Sequence, residues 1–129
     1  MDLSDLVATM PFAVGMGVEL TEASADMVVG TMSWRAELCT IGGVLHGGVL
    51  MGFADSVGAV CAVFNLPPGT RTSTLESKTN LIRGVKEGTL TATSTPLHAG
   101  RSSIVVQTHV RDEGGRLVSL TIQTQAVLT

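Results

Sequence analysis

Residues 45–64 read LHGGVLMGFADSVGAVCAVF, and this stretch decides how the rest of the chain must fold. From residue 47 to residue 64 almost every position is apolar or small, so a helix formed here is apolar on all sides. A helix of that kind is normally buried. The following segment, NLPPG at residues 65–69, ends it. The sequence therefore predicts one long central helix that the remaining elements surround.

Strand-like segments precede and follow this helix. They cover residues 14–23, 26–34, 71–82, 88–98, 101–112 and 116–128, and residues 2–10 predict a short helix that ends before Pro11. Short hairpin connections separate the last four strands, so these strands should pair antiparallel. A sheet with only one apolar helix must wrap around that helix. The sequence thus predicts an α+β protein of hotdog architecture, as a single domain over residues 1–129.

Composition and charge exclude several classes of function. The net charge is −3 and the eight Lys and Arg residues are scattered, which argues against a nucleic-acid partner. Cys39 and Cys61 lie in no CxxC or zinc pattern and the histidines match no metal site, so we expect no metal. Residues 1–10 lack the basic start of a signal peptide, and no apolar stretch is long enough to cross a bilayer. The expected location is the cytoplasm, away from membranes.

Asp55 is the most unusual residue of the predicted helix. Burying an unpaired carboxylate is costly, and no Lys or Arg lies within two helical turns of it. One interpretation is a buried Asp bonded to distant partners. The other, which we favour, is a carboxylate kept for chemistry, as a nucleophile or a general base.

Two adjacent glycines mark the start of the helix. At Gly47 and Gly48 another group can approach the backbone closely, and the first N–H groups of a helix have no partner inside it. Such groups can stabilise an oxyanion that forms on a carbonyl, although the glycines could equally serve only a tight turn. His46, directly before them, could be a general base or could orient the loop, and we favour the orienting role.

Gly47 and Asp55 cannot act on the same carbonyl within one chain. Eight residues of helix separate them by about 12 Å, whereas a catalytic group must come within about 3.5 Å of the reacting atom. Two helices that run antiparallel across a twofold axis would bring Gly47 of one protomer beside Asp55 of the other. If both residues are catalytic, the active site is shared by a dimer.

Three motifs follow one another along the chain: LHGG at residues 45–48 followed by Asp55, KTNLIRGVKEG at 78–88, and HAGR at 98–101 with DEGGRLV at 112–118. Taken together, they resemble the motifs of hotdog acyl-CoA thioesterases of the phenylacetate-degradation and hydroxybenzoyl-CoA type. In this order they cover most of the chain beyond residue 40. The resemblance implies hydrolysis of an acyl-CoA thioester without a cofactor, since coenzyme A is part of the substrate. It also implies a homodimer as the minimal unit and a homotetramer of two dimers.

The resemblance assigns a catalytic role to four positions. Asp55 matches the acidic residue that attacks the thioester or activates water, and Gly47 matches the backbone donor of the oxyanion site. His46 matches the histidine that begins the family motif. Ser73, eighteen residues after Asp55, matches a position where some relatives carry a hydroxyl that orients water.

The resemblance also implies which residues contact the substrate, and one of them departs from the family pattern. Gly48 matches the second glycine of the motif, and Thr40 stands where many relatives carry an Asn or Gln that helps hold the thioester carbonyl. The Thr hydroxyl reaches less far and has no amide, so it is a departure from the family pattern. The candidates for holding the phosphates of coenzyme A are Arg71, Arg83, Arg101 and Arg116, and we select Arg83 and Arg101.

The acyl group is expected to be aromatic or of medium chain length, because small residues on the central helix leave room for it. Two other functions remain open. The first is a non-catalytic acyl-CoA-binding protein of the same fold, against which Asp55 argues. The second is a hotdog dehydratase or hydratase, in which the acid commonly precedes the His, an order that is missing here.

Overall fold

The computed structural model describes residues 2–129, and all six strands within them form one antiparallel sheet in the order β1-β2-β4-β5-β6-β3. The helices are α1 (Leu3–Ala8), α2 (Pro11–Met16) and α3 (Gly47–Val63). The strands are β1 (Glu19–Ala23), β2 (Val28–Ser33), β3 (Arg71–Leu81), β4 (Thr89–Ala99), β5 (Ser103–Arg111) and β6 (Leu117–Leu128). Since α3 packs on the sheet, the predicted hotdog fold is confirmed.

The central helix has the bounds that its apolar stretch predicts. Its residues Phe53, Val57 and Cys61 are fully buried against the sheet. Gly30 on β2 allows this close packing, because a Cβ atom there would lie 2.9 Å from Val57 Cγ2. The sheet side of the core includes Leu90, Ala92, Ile104, Val106, Val110 and Val118. Among residues 2–129, no helix is both long enough and apolar enough to cross a membrane.

One side of α3 is not buried in the single chain, although its composition predicts burial on all sides. Met51 and Val63 are 39% and 46% exposed, and Asp55 lies half-buried between them. Their spacing by multiples of four places the three residues on one helical stripe. Asp55 therefore lies at the border between this exposed side of the helix and the side that the sheet covers.

The N-terminal segment also differs from its prediction. The sequence predicts a strand from residue 14, but Pro11–Met16 forms α2 and β1 begins only at Glu19. Proline at the start of α2 and Gly17 in the left-handed conformation after its last turn (φ 81°) define the limits of this helix. The other five strands begin and end within two residues of their predicted bounds.

Strand β3 is an edge of the sheet and is 11 residues long. Leu75 and Leu81 on this strand are 67% and 53% exposed. Its pairing with β6 is interrupted by a bulge at Leu75, between Thr74 and Glu76. A long and exposed edge strand offers free N–H and C=O groups to another strand.

Candidate active site

The first N–H groups of α3 differ in whether they are satisfied. His46 accepts a hydrogen bond on Nδ1 from the Gly48 N–H at 2.8 Å and so caps the helix. The N–H groups of Val49 and Leu50 donate to the His46 carbonyl at 3.0 and 3.3 Å. The Gly47 N–H makes no hydrogen bond to any residue within 2–129. The positive end of the helix dipole therefore presents one free donor, at Gly47.

The position of Gly47 is fixed by the loop before it. The Leu45 N–H donates to the Val85 carbonyl, and the His46 N–H donates to the Leu38 carbonyl, both at 2.9 Å. With its Nδ1 accepting from Gly48, the neutral ring of His46 carries its proton on Nε2. These bonds are what an orienting role for His46 requires, and the role itself stays a prediction.

A cavity of about 200 Å³ lies beside Gly47. Its lining side chains are apolar apart from that of Arg83. Leu81 and Ile82, which line it, are 53% and 54% exposed. The other lining residues are Val44, Leu45, Leu50 and Gly84. The structure thus brings together the predicted oxyanion donor and one of the two arginines selected for coenzyme A.

Asp55 is held through one of its two carboxylate oxygens. Oδ1 accepts hydrogen bonds from Thr74 Oγ1 on β3 and from Gln123 Nε2 on β6, each at 2.8 Å. Oδ2 makes no hydrogen bond with the residues that the structure describes. The carboxylate is therefore fixed from the side of the sheet while one oxygen stays free for chemistry.

The residues that hold Asp55 were not singled out from the sequence. Thr74 accepts a hydrogen bond from Gln125 Nε2 at 2.7 Å, and Gln125 Oε1 in turn accepts one from Thr72 at 3.0 Å. The signal that could have revealed them is a row of polar residues at every second position of β6. This row, which is buried, is Ser119, Thr121, Gln123 and Gln125. A strand that turns polar residues toward a helix has a reason other than core packing.

The predicted hydroxyl at Ser73 lies next to this network and not in it. Ser73 pairs with Ala126 on β6, whereas Thr74 pairs with Gln125. Because successive side chains of a strand point to opposite faces, Thr74 and not Ser73 reaches Asp55. A catalytic role for Ser73 stays a prediction without a contact to Asp55 within one chain.

Two more predicted positions lie in loops. Thr40 is exposed, and its N–H donates to the Val44 carbonyl at 2.8 Å, so its backbone supports the loop before α3. Arg101 is exposed in the β4–β5 connection. The N–H of Arg83 donates to Val118 O, which places Arg83 near the other end of the sheet. The two selected arginines are thus far apart in one chain.

The remaining candidates differ in what they contact. The backbone N–H of Arg116 donates to the Asp112 carboxylate, and the Arg116 guanidinium forms an ion pair with it at 2.9 Å. Both contacts lower the pKa of Asp112. Arg71 is exposed and lies against the Thr129 carbonyl. Burial raises the pKa of the Cys61 thiol to about 11, so this cysteine stays protonated and is no candidate nucleophile.

Comparison with known proteins gives the family. A sequence profile described as the thioesterase superfamily matches residues 42–119, which include both Gly47 and Asp55. A Vibrio cholerae protein provisionally named as an esterase is 39% identical over 85 residues, which is 66% of this chain and 57% of that protein. The 1,4-dihydroxy-2-naphthoyl-CoA hydrolase of Escherichia coli is 34% identical over 86 residues, which is 67% of this chain and 63% of the hydrolase. Each of these two matched segments therefore covers less than two thirds of the relative's length.

The fold gives the same result. The crystal structure of a thioesterase from Haemophilus influenzae superposes with a TM-score of 0.93 at 27% identity. The superposition covers 100% of this chain and 92% of that one. The matched profile, the relatives and the fold agree with the three sequence motifs: the chain belongs to the thioesterase superfamily, a family of enzymes that cleave thioesters.

Proposed function

We propose that this protein hydrolyses an acyl-CoA thioester to a free acid and coenzyme A, at a site shared by two copies of the chain. The observation that carries the proposal is the free N–H of Gly47 beside an apolar cavity. A donor at the positive end of a helix stabilises the negative charge that forms on the thioester oxygen when its carbonyl carbon is attacked. Arg83 at the same cavity offers a positive charge to a phosphate of coenzyme A.

Asp55 supplies the second part of the reaction. Its Oδ2 can take a proton from water while the water oxygen bonds to the carbonyl carbon. The C–S bond then breaks, and the proton passes from Asp55 to the sulfur, so that acid and thiol leave and the carboxylate is restored. In the other route Oδ2 attacks the carbon itself, coenzyme A leaves, and water hydrolyses the resulting anhydride. Neither route calls for a metal or a redox cofactor, and we propose that the enzyme works without one.

Strand β3 explains how two copies would share the site. Its start contacts Asp55 through Thr74, and its end lies against Gly47, since a Cβ atom on Gly47 would be 2.6 Å from Leu81 Cδ1. If β3 pairs antiparallel with β3 of a second copy, the start of one strand lies near the end of the other. Asp55 of one protomer then approaches Gly47 of its partner. The exposed edge of β3 supports such pairing.

Mixing two inactive variants tests the shared site. One chain carries Asp55→Asn and the other carries Gly47→Pro, which removes the Gly47 N–H. A mixed dimer keeps one intact site, formed by Gly47 of the first chain and Asp55 of the second. We expect unfolding and refolding of the mixture to restore about one quarter of the wild-type rate, because random pairing makes about half of the dimers mixed. If the mixture stays as inactive as its components, the site lies within one chain.

The substrate that we propose has an aromatic or medium-chain acyl group. The Escherichia coli relative is named for a naphthoyl-CoA ester, which supports the aromatic class. The space beside two of the small helix residues is filled within the chain, by Phe12 at Gly52 and by Gln123 at Gly58, so the proposed class rests on the relative's name. By its family resemblance, the enzyme is proposed to act in the cytoplasm, as a homotetramer built from two such dimers.

Thiol release from a panel of esters tests the activity. The panel contains phenylacetyl, hydroxybenzoyl, dihydroxynaphthoyl, short-chain and medium-chain acyl-CoA. We expect thiol release, fastest with one acyl class. Tight binding of the esters without release would indicate an acyl-CoA-binding protein instead. Formation or hydration of an enoyl-CoA without thiol release would indicate a dehydratase or hydratase.

A further inference from the structure

Beside Asp55 lies a chain of hydrogen bonds whose direction is fixed by the carboxylate, because a carboxylate only accepts hydrogen bonds. The Oε1 of Gln125 lies 3.0 Å from Thr72 Oγ1, although the Thr72 hydrogen has a shorter acceptor at 2.7 Å, the Ala126 carbonyl. Gln125 Nε2 donates to Thr74 Oγ1. The Thr74 hydroxyl accepts that bond and must place its own hydrogen elsewhere, which it does on Asp55 Oδ1. Each donor in the series therefore points toward the carboxylate. Such series polarise one another and strengthen the last bond.

Gln123 is the second donor, and its environment is unfavourable apart from Asp55. Its Nε2 donates to Asp55 Oδ1 at 2.8 Å. Its Oε1 is buried without a hydrogen-bond partner among residues 2–129 and lies against the backbone of Gly58. A Cβ atom at Gly58 would clash with this oxygen, so the glycine makes room for the amide. A buried carbonyl without a partner destabilises a fold, which makes core stability a poor reason for a glutamine here.

We propose that Thr74 and Gln123 are positioning residues that select Oδ2 of Asp55 as the reacting oxygen. Both donors occupy Oδ1, which fixes the plane of the carboxylate and leaves Oδ2 as the oxygen that faces the thioester or the water. Gln125 donates to the Thr74 hydroxyl and acts one step further away. The inference rests on the proposed hydrolysis and adds the residues that aim its carboxylate.

Thr74 offers a test that separates positioning from packing. Thr74→Val keeps the shape and removes the hydroxyl, whereas Thr74→Ser keeps the hydroxyl and removes the methyl group. We expect Thr74→Val to lower kcat about 10- to 100-fold, the effect of one hydrogen bond to a charged group, with little change in KM. Thr74→Ser should stay close to wild type. If the side chain serves only packing, Thr74→Ser should instead lower kcat more than Thr74→Val does.

Thr79→Val is the matched control on the same strand. The Thr79 hydroxyl also bonds across to β6, at 2.7 Å from Thr121 Oγ1, but it has no hydrogen bond to the Asp55 network. Loss of this hydroxyl should leave kcat near the wild-type value. An equal fall of kcat in Thr79→Val and Thr74→Val would overturn the inference, because any lost bond between these strands would then have the same effect.

Gln123→Met is the independent second variant. Methionine fills a similar volume and removes both the donor and the unsatisfied carbonyl. We expect kcat to fall about 10- to 100-fold while the melting temperature is no lower than that of the wild type. If kcat stays at the wild-type value while Asp55→Asn is inactive, the positioning role is wrong and the proposed hydrolysis stands. If the wild type releases no thiol from any ester, the proposed function fails and this inference fails with it.

Discussion

Replacing Asp55 by Asn is expected to lower kcat for thiol release about 10²- to 10⁴-fold, the range for loss of a general base. The Asn side chain keeps an oxygen in the place of Oδ1, so the donors Thr74 and Gln123 can still bond to it. What disappears is the charged oxygen that takes a proton or attacks the carbonyl carbon. The variant should therefore fold and associate like the wild type while losing its activity.

The measurement compares initial rates of both proteins on the best ester of the panel. Circular dichroism and light scattering on the same samples show that fold and association are unchanged. Asp26→Asn is the matched control, because Asp26 is exposed in the β1–β2 turn and its N–H donates to Ser24 Oγ within that turn. Equal rates in Asp55→Asn and the wild type would mean that the carboxylate is only structural.

Loss of the Gly47 N–H is expected to have an effect of similar size. Removal of one oxyanion donor lowers kcat about 10²- to 10³-fold, so Gly47→Pro should do the same. Proline suits this position in other respects, because Gly47 is the first residue of α3 and needs no N–H within the helix. His46 before it already has the extended backbone (φ −62°, ψ 136°) that a residue before proline prefers.

Gly47→Ala is the matched control for this experiment. Both variants add a Cβ atom close to Leu81 Cδ1, and Leu81 is exposed enough to move aside. Only the proline lacks the N–H. The alanine variant should therefore keep most of the activity, and the ratio of kcat between the two variants measures the backbone donor. If both variants lose activity equally, the space at Gly47 matters and its N–H does not.

The fold could be predicted where one pattern dominates. The run of apolar and small residues from 47 onward identifies α3, and the Gly-rich turns separate the last four strands. The segment 11–16 could not be assigned in the same way, because PFAVGM is short and mixes strand-forming and helix-ending residues. Pro11 predicts the end of one helix, whereas in the structure it also begins the next.

The site could be predicted only as far as single residues stand out from their surroundings. Asp55 does so because it is the one acidic residue in an apolar helix, and Gly47 because it begins that helix. Gln123 does not, since a glutamine on an alternating strand looks solvent-exposed. Its contact with Asp55 depends on which face of β6 turns toward α3, and that is decided by pairing with β3. The exposed side of α3 could not be predicted either, because the composition of a helix does not show how much of it one sheet can cover.

The bulge at Leu75 limits where this chain can change its length. Thr74 before the bulge and Ser77 after it pair with Gln125 and Gln123, which share one face of β6, so both point toward α3. Deleting Leu75 would leave Thr74 and Ser77 on that face, as in an uninterrupted strand. A one-residue insertion or deletion in a part of β3 without a bulge would instead turn the residues beyond it to the opposite face of the sheet, so that those now facing α3 point away from it. Homologous sequences can therefore be one residue shorter at Leu75 and still keep the hydroxyl that contacts the carboxylate.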